Sequence, residues 1–136
     1  WVWHKKEQGV FEMIPKFREW DAEREKLFKG KGMSYGVRKD FDNSFVIEFE
    51  HMEDLDAINK DESIDRVVMM STGLKDINGT EIYEGDILKT SIKNLVVEWV
   101  PKGACWGIGC HYLFHYYETS EVIGNIYENP ELLEDE

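Results

Sequence analysis

The stretch TGLKDINGTEIYEGDIL, residues 72–88, decides the fold of this chain. Within it, Asn78-Gly79 lies between apolar residues, and both residues tolerate positive φ. This pattern predicts a β-hairpin closed by a type I′ turn. Gly85-Asp86 predicts a second turn, which leads into another strand. Short apolar runs separated by turns are typical of an all-β or β-dominant domain.

Short apolar or alternating segments predict further strands on both sides of this stretch. The run at 67–70 is apolar without interruption, which favours a strand buried on both faces. The alternation at 45–49 favours a half-buried strand. We therefore expect a mostly β fold, either a small barrel or coiled antiparallel sheets. The predicted strands lie at 16–21, 45–49, 67–70, 87–92, 95–99, 110–117 and 122–126.

Two short helical segments are also expected. Residues 51–59 place apolar side chains at helical spacing in an acidic stretch, and a mobile loop is the alternative there. Near the end of the chain, Asn129 can cap a helical turn over residues 130–133, with Pro130 at its first position.

Composition excludes several classes of protein. The 136 residues fit one domain, and the formal net charge of −12 argues against a broad phosphate-binding surface. No apolar run approaches the roughly 20 residues that span a bilayer, and the first residues do not form a signal peptide. With two cysteines, we expect a reducing, cytoplasmic setting without membrane association.

Three motifs together resemble a known family. They are KFREWD at 16–21, TGLKDINGTEIYEGDI at 72–87 and VIGNIYENPELL at 122–133. In this order they are similar to the YopX family of phage and prophage proteins from Gram-positive bacteria. The resemblance implies a β-rich fold and transfers no catalytic residue and no cofactor. It begins just after Met13, so residues 1–12 are expected to be an extension outside a single domain at 13–136.

The glycines of the central motif have two interpretations. Gly73, Gly79 and Gly85 could line an anion-binding nest of backbone N–H groups. The simpler interpretation, which we favour, is that each glycine serves a tight turn.

Cys105, Cys110, His111 and His115 form the sharpest chemical cluster, because thiolates and imidazoles are zinc ligands. On a continuous strand, however, Cys110 and His111 would point to opposite faces. His111 and His115 would lie about 13 Å apart. We therefore expect no metal and no cofactor, and keep these four residues as the metal candidates. A cysteine nucleophile beside a histidine is a further hypothesis, but no catalytic residue is assigned.

Aromatic residues supply the candidate interaction surface. The predicted strand at 110–117 is aromatic on both faces, as in a central strand or a subunit contact. Arg18 and Trp20 share one face of the first predicted strand and could form a cation–π recognition pair. The alternative is structural, with Trp20 in the core and Arg18 paired to Asp21 or Asp86. The interaction candidates are Arg18, Trp20, Trp99, Trp106, Tyr112, Tyr116 and Tyr117.

Three functional hypotheses follow. The first is a non-enzymatic accessory protein that binds a protein partner or assembles with itself as a homo-oligomer. The second is nucleic-acid engagement, either directly through Lys5, Lys6, Lys16 and Arg18 or by mimicry of DNA with the acidic surface. The third is an enzyme or metal protein centred on residues 105–115.

Overall fold

The structure is a computed structural model that describes residues 16–51 and 66–133 in full and the backbone of residues 2–5 and 11–14. The chain groups into two compact units, residues 1–70 and residues 71–136. The strands in chain order are β1 (Val2–Lys5), β2 (Phe11–Ile14), β3 (Phe17–Asp21), β4 (Met33–Phe41), β5 (Ser44–Phe49), β6 (Arg66–Lys75), β7 (Glu81–Tyr83), β8 (Asp86–Lys89), β9 (Asn94–Val100), β10 (Cys105–Ile108), β11 (His111–Tyr112) and β12 (Glu121–Asn125).

Unit 1 is built from antiparallel strands and one short helix. β1 pairs with β2, and β5, β4, β3 and the first half of β6 are neighbours in that order. The helix α1 (Ala22–Leu27) begins directly after β3. Asp21 caps it by accepting a hydrogen bond from the Arg24 backbone N–H at 3.1 Å, which satisfies one of the free donors of the first turn.

Unit 2 contains a five-stranded antiparallel sheet in the order β11, β10, β9, β8, β12. The second half of β6 pairs with β7 in the same unit. A buried apolar cluster forms the core of unit 2, since period-two alternation turns one face of β8 and β9 inward. Its members are Ile82, Leu88, Leu95, Val97, Ile108 and Leu113.

The prediction of a mostly β fold is confirmed. Over the described residues, the strands form open antiparallel sheets and not a closed barrel. The strands predicted near 16–21, 45–49, 87–92, 95–99 and 122–126 correspond to β3, β5, β8, β9 and β12. None of the helices in the described part of the chain has the length and apolar character needed to span a bilayer.

Of two predictions of burial in unit 1, the one for residues 67–70 is wrong and the one for residues 45–49 holds in part. The strand at 67–70 is present in β6, and Met69 is buried, but Val68 is 59% exposed. Neighbouring residues of a strand point to opposite faces, and only the face of Met69 is covered here. In β5, Ile47 and Phe49 are half-buried as predicted. Phe45 is 51% exposed, because the hairpin of β4 and β5 extends into solvent at its tip.

The hairpin predicted at Asn78-Gly79 is confirmed, but the predicted turn type is wrong. Gly79 has a φ of 84°, whereas Asn78 does not take the positive φ that a type I′ turn requires. Asp76 is the cause, because its Oδ1 accepts hydrogen bonds from the N–H groups of Asn78 and Thr80, both at 2.8 Å. A side chain that bonds the backbone two residues on favours a right-handed turn instead.

The predicted role of the motif glycines in tight turns is confirmed for Gly79 and Gly85 and is wrong for Gly73, which lies within β6. Gly73, Gly79 and Gly85 have φ values of 83°, 84° and 87°, which side chains rarely tolerate. Gly73 lies where the register between β6 and β7 shifts, so it serves a bulge. Gly85 lies in the short connection between β7 and β8, where its N–H donates to the Val97 carbonyl at 2.9 Å.

The strand predicted at 110–117 is wrong. β11 ends at Tyr112, and two 3-10 helices follow, Leu113–His115 and Tyr117–Thr119. Leu113 is fully buried in the core, and the turn that buries it is closed by a bond from the Tyr116 N–H to the Leu113 carbonyl at 2.9 Å. Burial of this leucine therefore overrides the local preference of an aromatic run for strand.

The helical turn predicted at 130–133 is confirmed as the 3-10 helix Pro130–Leu133. The helix predicted at 51–59 lies outside the described residues from position 52 onward. The division into an extension at 1–12 and one domain at 13–136 stays a prediction.

Candidate functional site

Unit 2 carries a cavity of about 460 Å³ that we call the aromatic pocket. Its lining is largely apolar and aromatic, with one thiol and one imidazole. Such concave, mostly apolar surfaces with a few polar groups are the usual form of binding sites. The lining residues are Leu74, Cys105, Trp106, Tyr112, Phe114 and His115.

The turn between β9 and β10 positions Cys105 and Trp106 in this pocket. The 3-10 helix Pro101–Gly103 ends at Ala104, whose φ of 48° is left-handed and reverses the chain. β10 then pairs with β9 so that Trp106 lies opposite Trp99. Their rings pack edge to face, with centroids 5.2 Å apart, an arrangement that aromatic quadrupoles favour. Trp99 thus helps to hold the ring of Trp106.

Leu113 positions the other side of the aromatic pocket. Because its side chain is buried, its two neighbours point outward, and Tyr112 is 60% exposed and Phe114 73% exposed. The His115 ring packs against both, at centroid distances of 5.8 Å from Tyr112 and 6.1 Å from Phe114. These three rings form an exposed aromatic rim.

The remaining aromatic candidates, Tyr116 and Tyr117, pack between the exposed rim and the core of unit 2. Tyr116 and Tyr117 are half-buried and pack against the apolar core. Tyr117 also approaches Phe114, with ring centroids 6.1 Å apart. The structure thus places all five aromatic candidates predicted between 99 and 117 in one region of unit 2. Leu74 and Phe114 were not among the candidates, although Phe114 lies in the aromatic run at 110–117.

The four metal candidates lie in the same region but do not converge. Cys105 is half-buried and Cys110 is exposed, and both are free thiols. His111 packs on Tyr116 at 5.2 Å, whereas His115 faces the aromatic pocket. Among residues 16–51 and 66–133, no three His, Cys, Asp or Glu side chains are grouped so that they could hold a metal ion. The expected separation of the two histidines assumed a strand that the structure does not contain.

A second concave surface of about 350 Å³ adjoins the aromatic pocket. It shares Cys105 and Tyr112 with that pocket, and adds Lys102, Cys110 and His111. The adjoining surface is the more polar of the two, so an occupant extending beyond the aromatic pocket would meet a more polar surface.

The candidates in unit 1 are Arg18, which is buried, and Trp20, which is half-buried. Arg18 is only 2% exposed, and its Nε donates to the Met69 sulfur at 3.4 Å. Its guanidinium lies 6.0 Å from the ring of Tyr35. Trp20 is half-buried and lies so close to Gly32 that a Cβ there would sit 2.7 Å from its ring. Direct nucleic-acid binding through Arg18 requires its guanidinium to reach phosphates, and burial prevents this.

Sequence reasoning missed a buried ionic cluster in unit 1, formed by Glu19, Asp21, Arg24 and Arg66. Arg24 is fully buried, and its guanidinium bonds Glu19 Oε1 at 2.9 Å. It also donates to the backbone carbonyls of residues 31 and 32. Arg66 approaches Glu19 at 3.4 Å and Asp21 at 3.6 Å. The only sequence signal was the placing of two acids, at 19 and 21, in a short strand.

The geometry of this cluster is structural. It joins β3, α1 and β6, and the charges of its two acids and two arginines are balanced. Within residues 16–51 and 66–133, Asp21 Oδ2 and Arg66 Nε have no hydrogen-bond partner, and the two atoms attract each other through charge at 3.6 Å. The cluster explains why the first motif, KFREWD, carries two acids at buried positions.

A family model described as YopX protein matches residues 16–134. The chain belongs to the YopX family. The match includes the three motifs at 16–21, 72–87 and 122–133, so the predicted family is confirmed. The crystal structure of protein EF1440 from Enterococcus faecalis is also similar, with 30% identity and a TM-score of 0.49 over 90% of this chain and 99% of that chain. None of the proteins with curated descriptions matches the chain.

In this YopX family member, the motifs and the aromatic pocket are largely different parts of the chain. Only Leu74 of the pocket belongs to a motif, and the other five lining residues lie between the second motif and the third. The YopX motifs supply turns, a bulge and the two acids of the buried ionic cluster. The segment between the second motif and the third carries the exposed aromatic rings.

Proposed function

We propose that this chain is a non-enzymatic phage or prophage accessory protein that binds a protein partner in the host cytoplasm. The aromatic pocket of unit 2 is the proposed binding site, and a basic side chain of the partner is its proposed occupant. The observation that carries the proposal is the exposed rim of Tyr112, Phe114 and His115 around a cavity of about 460 Å³.

Exposure of the rim supports a binding role. An exposed phenylalanine beside an exposed tyrosine leaves apolar area in water that a partner could cover. Aromatic residues are enriched at the centres of protein interfaces, where they contribute a large share of binding energy. The edge-to-face contact of Trp99 with Trp106 prepares part of the surface before a partner arrives.

Charge supports a basic partner. Residues 71–136 contain four lysines, no arginine and 12 acidic residues, a formal net charge of −8. The face of an aromatic ring attracts cations, so an arginine or lysine side chain fits a pocket built from such rings. The surrounding acidity would speed its approach and weaken the approach of acidic proteins.

The lining of the aromatic pocket supports a role without catalysis. It presents one thiol, one imidazole and one phenol, but no carboxylate. The imidazole of His115 packs between the rings of Tyr112 and Phe114. We therefore assign no catalytic residue and no cofactor.

A titration with a basic probe tests the proposal. We expect a short peptide of alternating arginine and glycine to shift the NMR signals of the Trp106 indole and of residues 112–115. Phe114→Ser should weaken binding about tenfold, in line with the loss of a desolvated cation–π contact. Ile92→Ser is the matched control, since it also removes an exposed apolar side chain of unit 2, outside the pocket.

Two outcomes would contradict the proposed site. Equal weakening by Phe114→Ser and Ile92→Ser would show that the pocket is not used. If the affinity for the peptide falls with added salt but is unchanged in Phe114→Ser, binding depends on charge alone, as DNA mimicry requires. A natural partner would be accepted only after the purified pair reproduces the dependence on Phe114.

A further inference from the structure

β5 is the last strand of its sheet in unit 1 and carries apolar residues in solvent. Among the described strands it pairs with β4 alone. Phe45 is 51% exposed and Val46 44% exposed, and on β4 Val37 and Phe41 are 57% and 61% exposed. An edge strand of this kind presents unpaired backbone groups beside apolar side chains, which makes it a template for another strand.

The outward-facing backbone groups of β5 can be assigned from one hydrogen bond. The Glu50 N–H donates to the Tyr35 carbonyl at 3.0 Å, so residue 50 points toward β4. Ladder bonds of an antiparallel pair alternate between neighbouring residues. The N–H and carbonyl groups of Phe45, Ile47 and Phe49 therefore point away from β4, toward the free edge.

The two faces of the β4–β5 hairpin differ. Phe45 and Ile47 share a face with Arg38, whose guanidinium stacks 4.0 Å over the Phe45 ring. Val46 and Glu48 lie on the other face, where the Glu48 carboxylate pairs with Lys39 at 3.0 Å. The edge thus has no unpaired like charges in its centre.

We propose that β5 pairs with β5 of a second copy of this chain, antiparallel and about a two-fold axis through Ile47. In this register Phe45 lies opposite Phe49 and Ile47 lies opposite its own counterpart. Cross-strand pairs of aromatic and β-branched residues stabilise a sheet. Val46 then lies opposite Glu48, whose charge Lys39 neutralises within its own hairpin.

Neighbouring registers are less favourable because they oppose like charges. An axis through Glu48 places that residue opposite itself, and an axis through Val46 places Asp42 opposite Glu50. Directly opposed like charges destabilise a strand pair. The axis through Ile47 is the one of the three that avoids such an opposition between residues 42 and 51.

The resulting dimer should be reversible. Its contact centres on one six-residue strand, which buries less than the roughly 1,200 Å² of a standard stable interface. We therefore expect monomer and dimer to exchange with concentration. This contact lies in unit 1 and does not depend on the aromatic pocket.

Disulfide cross-linking tests the register in the full chain. In a background with Cys105→Ser and Cys110→Ser, Ile47→Cys should form a covalent dimer on mild oxidation. Opposed residues of a hydrogen-bonded pair lie about 5.5 Å apart at Cα, within disulfide range. Val46→Cys is the register control, because the two copies of residue 46 would lie about 7–8 Å apart. Equal cross-linking of both variants would overturn the proposed pairing.

Sedimentation velocity over a concentration series tests the association without cysteine chemistry. The unmodified chain should shift from monomer toward dimer as concentration rises. Ile47→Lys should raise the concentration at which half of the chains are dimeric at least tenfold, because two ammonium groups would meet at the two-fold axis. Val68→Lys is the matched control in the same unit, and Phe114→Ser should leave the dimer unchanged. A chain that is monomeric at every concentration would refute the proposal. So would an Ile47→Lys variant that has the native circular dichroism spectrum and dimerises like the unmodified chain.

Discussion

Asp76 Oδ2 accepts a hydrogen bond from the backbone N–H of Val122 at 2.8 Å. The other carboxylate oxygen holds the turn at Asn78 and Thr80, so a single buried side chain shapes a hairpin and ties β12 to it. The Ile77 N–H adds a bond to the Ser120 carbonyl at 2.9 Å. Two of the YopX motifs, far apart in sequence, are therefore joined by one residue.

Asp76→Asn should destabilise unit 2 by about 2–4 kcal/mol, because the amide cannot accept bonds at both ends and leaves a buried N–H unpaired. The change in unfolding free energy can be measured by urea denaturation followed by circular dichroism. Glu121→Gln removes the same charge from an exposed residue near the turn and should cost less than about 0.5 kcal/mol. Equal losses in the two variants would show that charge, not hydrogen bonding, matters.

Gly124→Ala should destabilise the chain by about 1–3 kcal/mol through overpacking. A Cβ at Gly124 would lie 2.6 Å from Oδ1 of Asn129, and that oxygen accepts a bond from the Asn125 N–H at 3.2 Å. In an Asn129→Ala background the same substitution should cost clearly less. A double-mutant cycle with no coupling energy would exclude this close contact.

Arg24→Met should destabilise unit 1 by about 3–5 kcal/mol, because it leaves the Glu19 carboxylate buried without its closest cation. Thermal and urea unfolding measure the loss. Lys26→Met is the control, since it removes a charge from the same helix where the ion pair is exposed. Comparable stability of the two variants would contradict the assigned role of the cluster.

The pKa of the Tyr117 phenol should lie above its ordinary value of 10.0, because its hydroxyl donates to the Glu118 carboxylate. Partial burial and repulsion between carboxylate and phenolate act in the same direction. Glu118→Gln should therefore lower the pKa of Tyr117, as followed by ultraviolet difference absorbance against Tyr117→Phe. Glu131→Gln should leave it unchanged, and an unshifted titration in Glu118→Gln would disprove the hydrogen bond.

The sequence was sufficient for those features that depend on neighbouring residues. Alternation identified β5 and β9, glycine located the turns at 79 and 85, and Asn129-Pro130 located the last helical turn. Each of these follows from local backbone preference, which a short window of sequence contains. Three short motifs were likewise enough to assign the family, because each is contained in a short stretch of sequence.

Tertiary contacts decided the rest. The second carboxylate oxygen of Asp76 ties this turn to Val122, 46 residues away. Burial of Leu113 ended β11 and turned Phe114 outward, so the pocket assembled where a strand had been expected. Arg24 was drawn inside by Glu19 and two carbonyls, although charge patterns favour the surface for such a residue. Sequence patterns record local preference, whereas burial and hydrogen-bond partners depend on which distant segments meet.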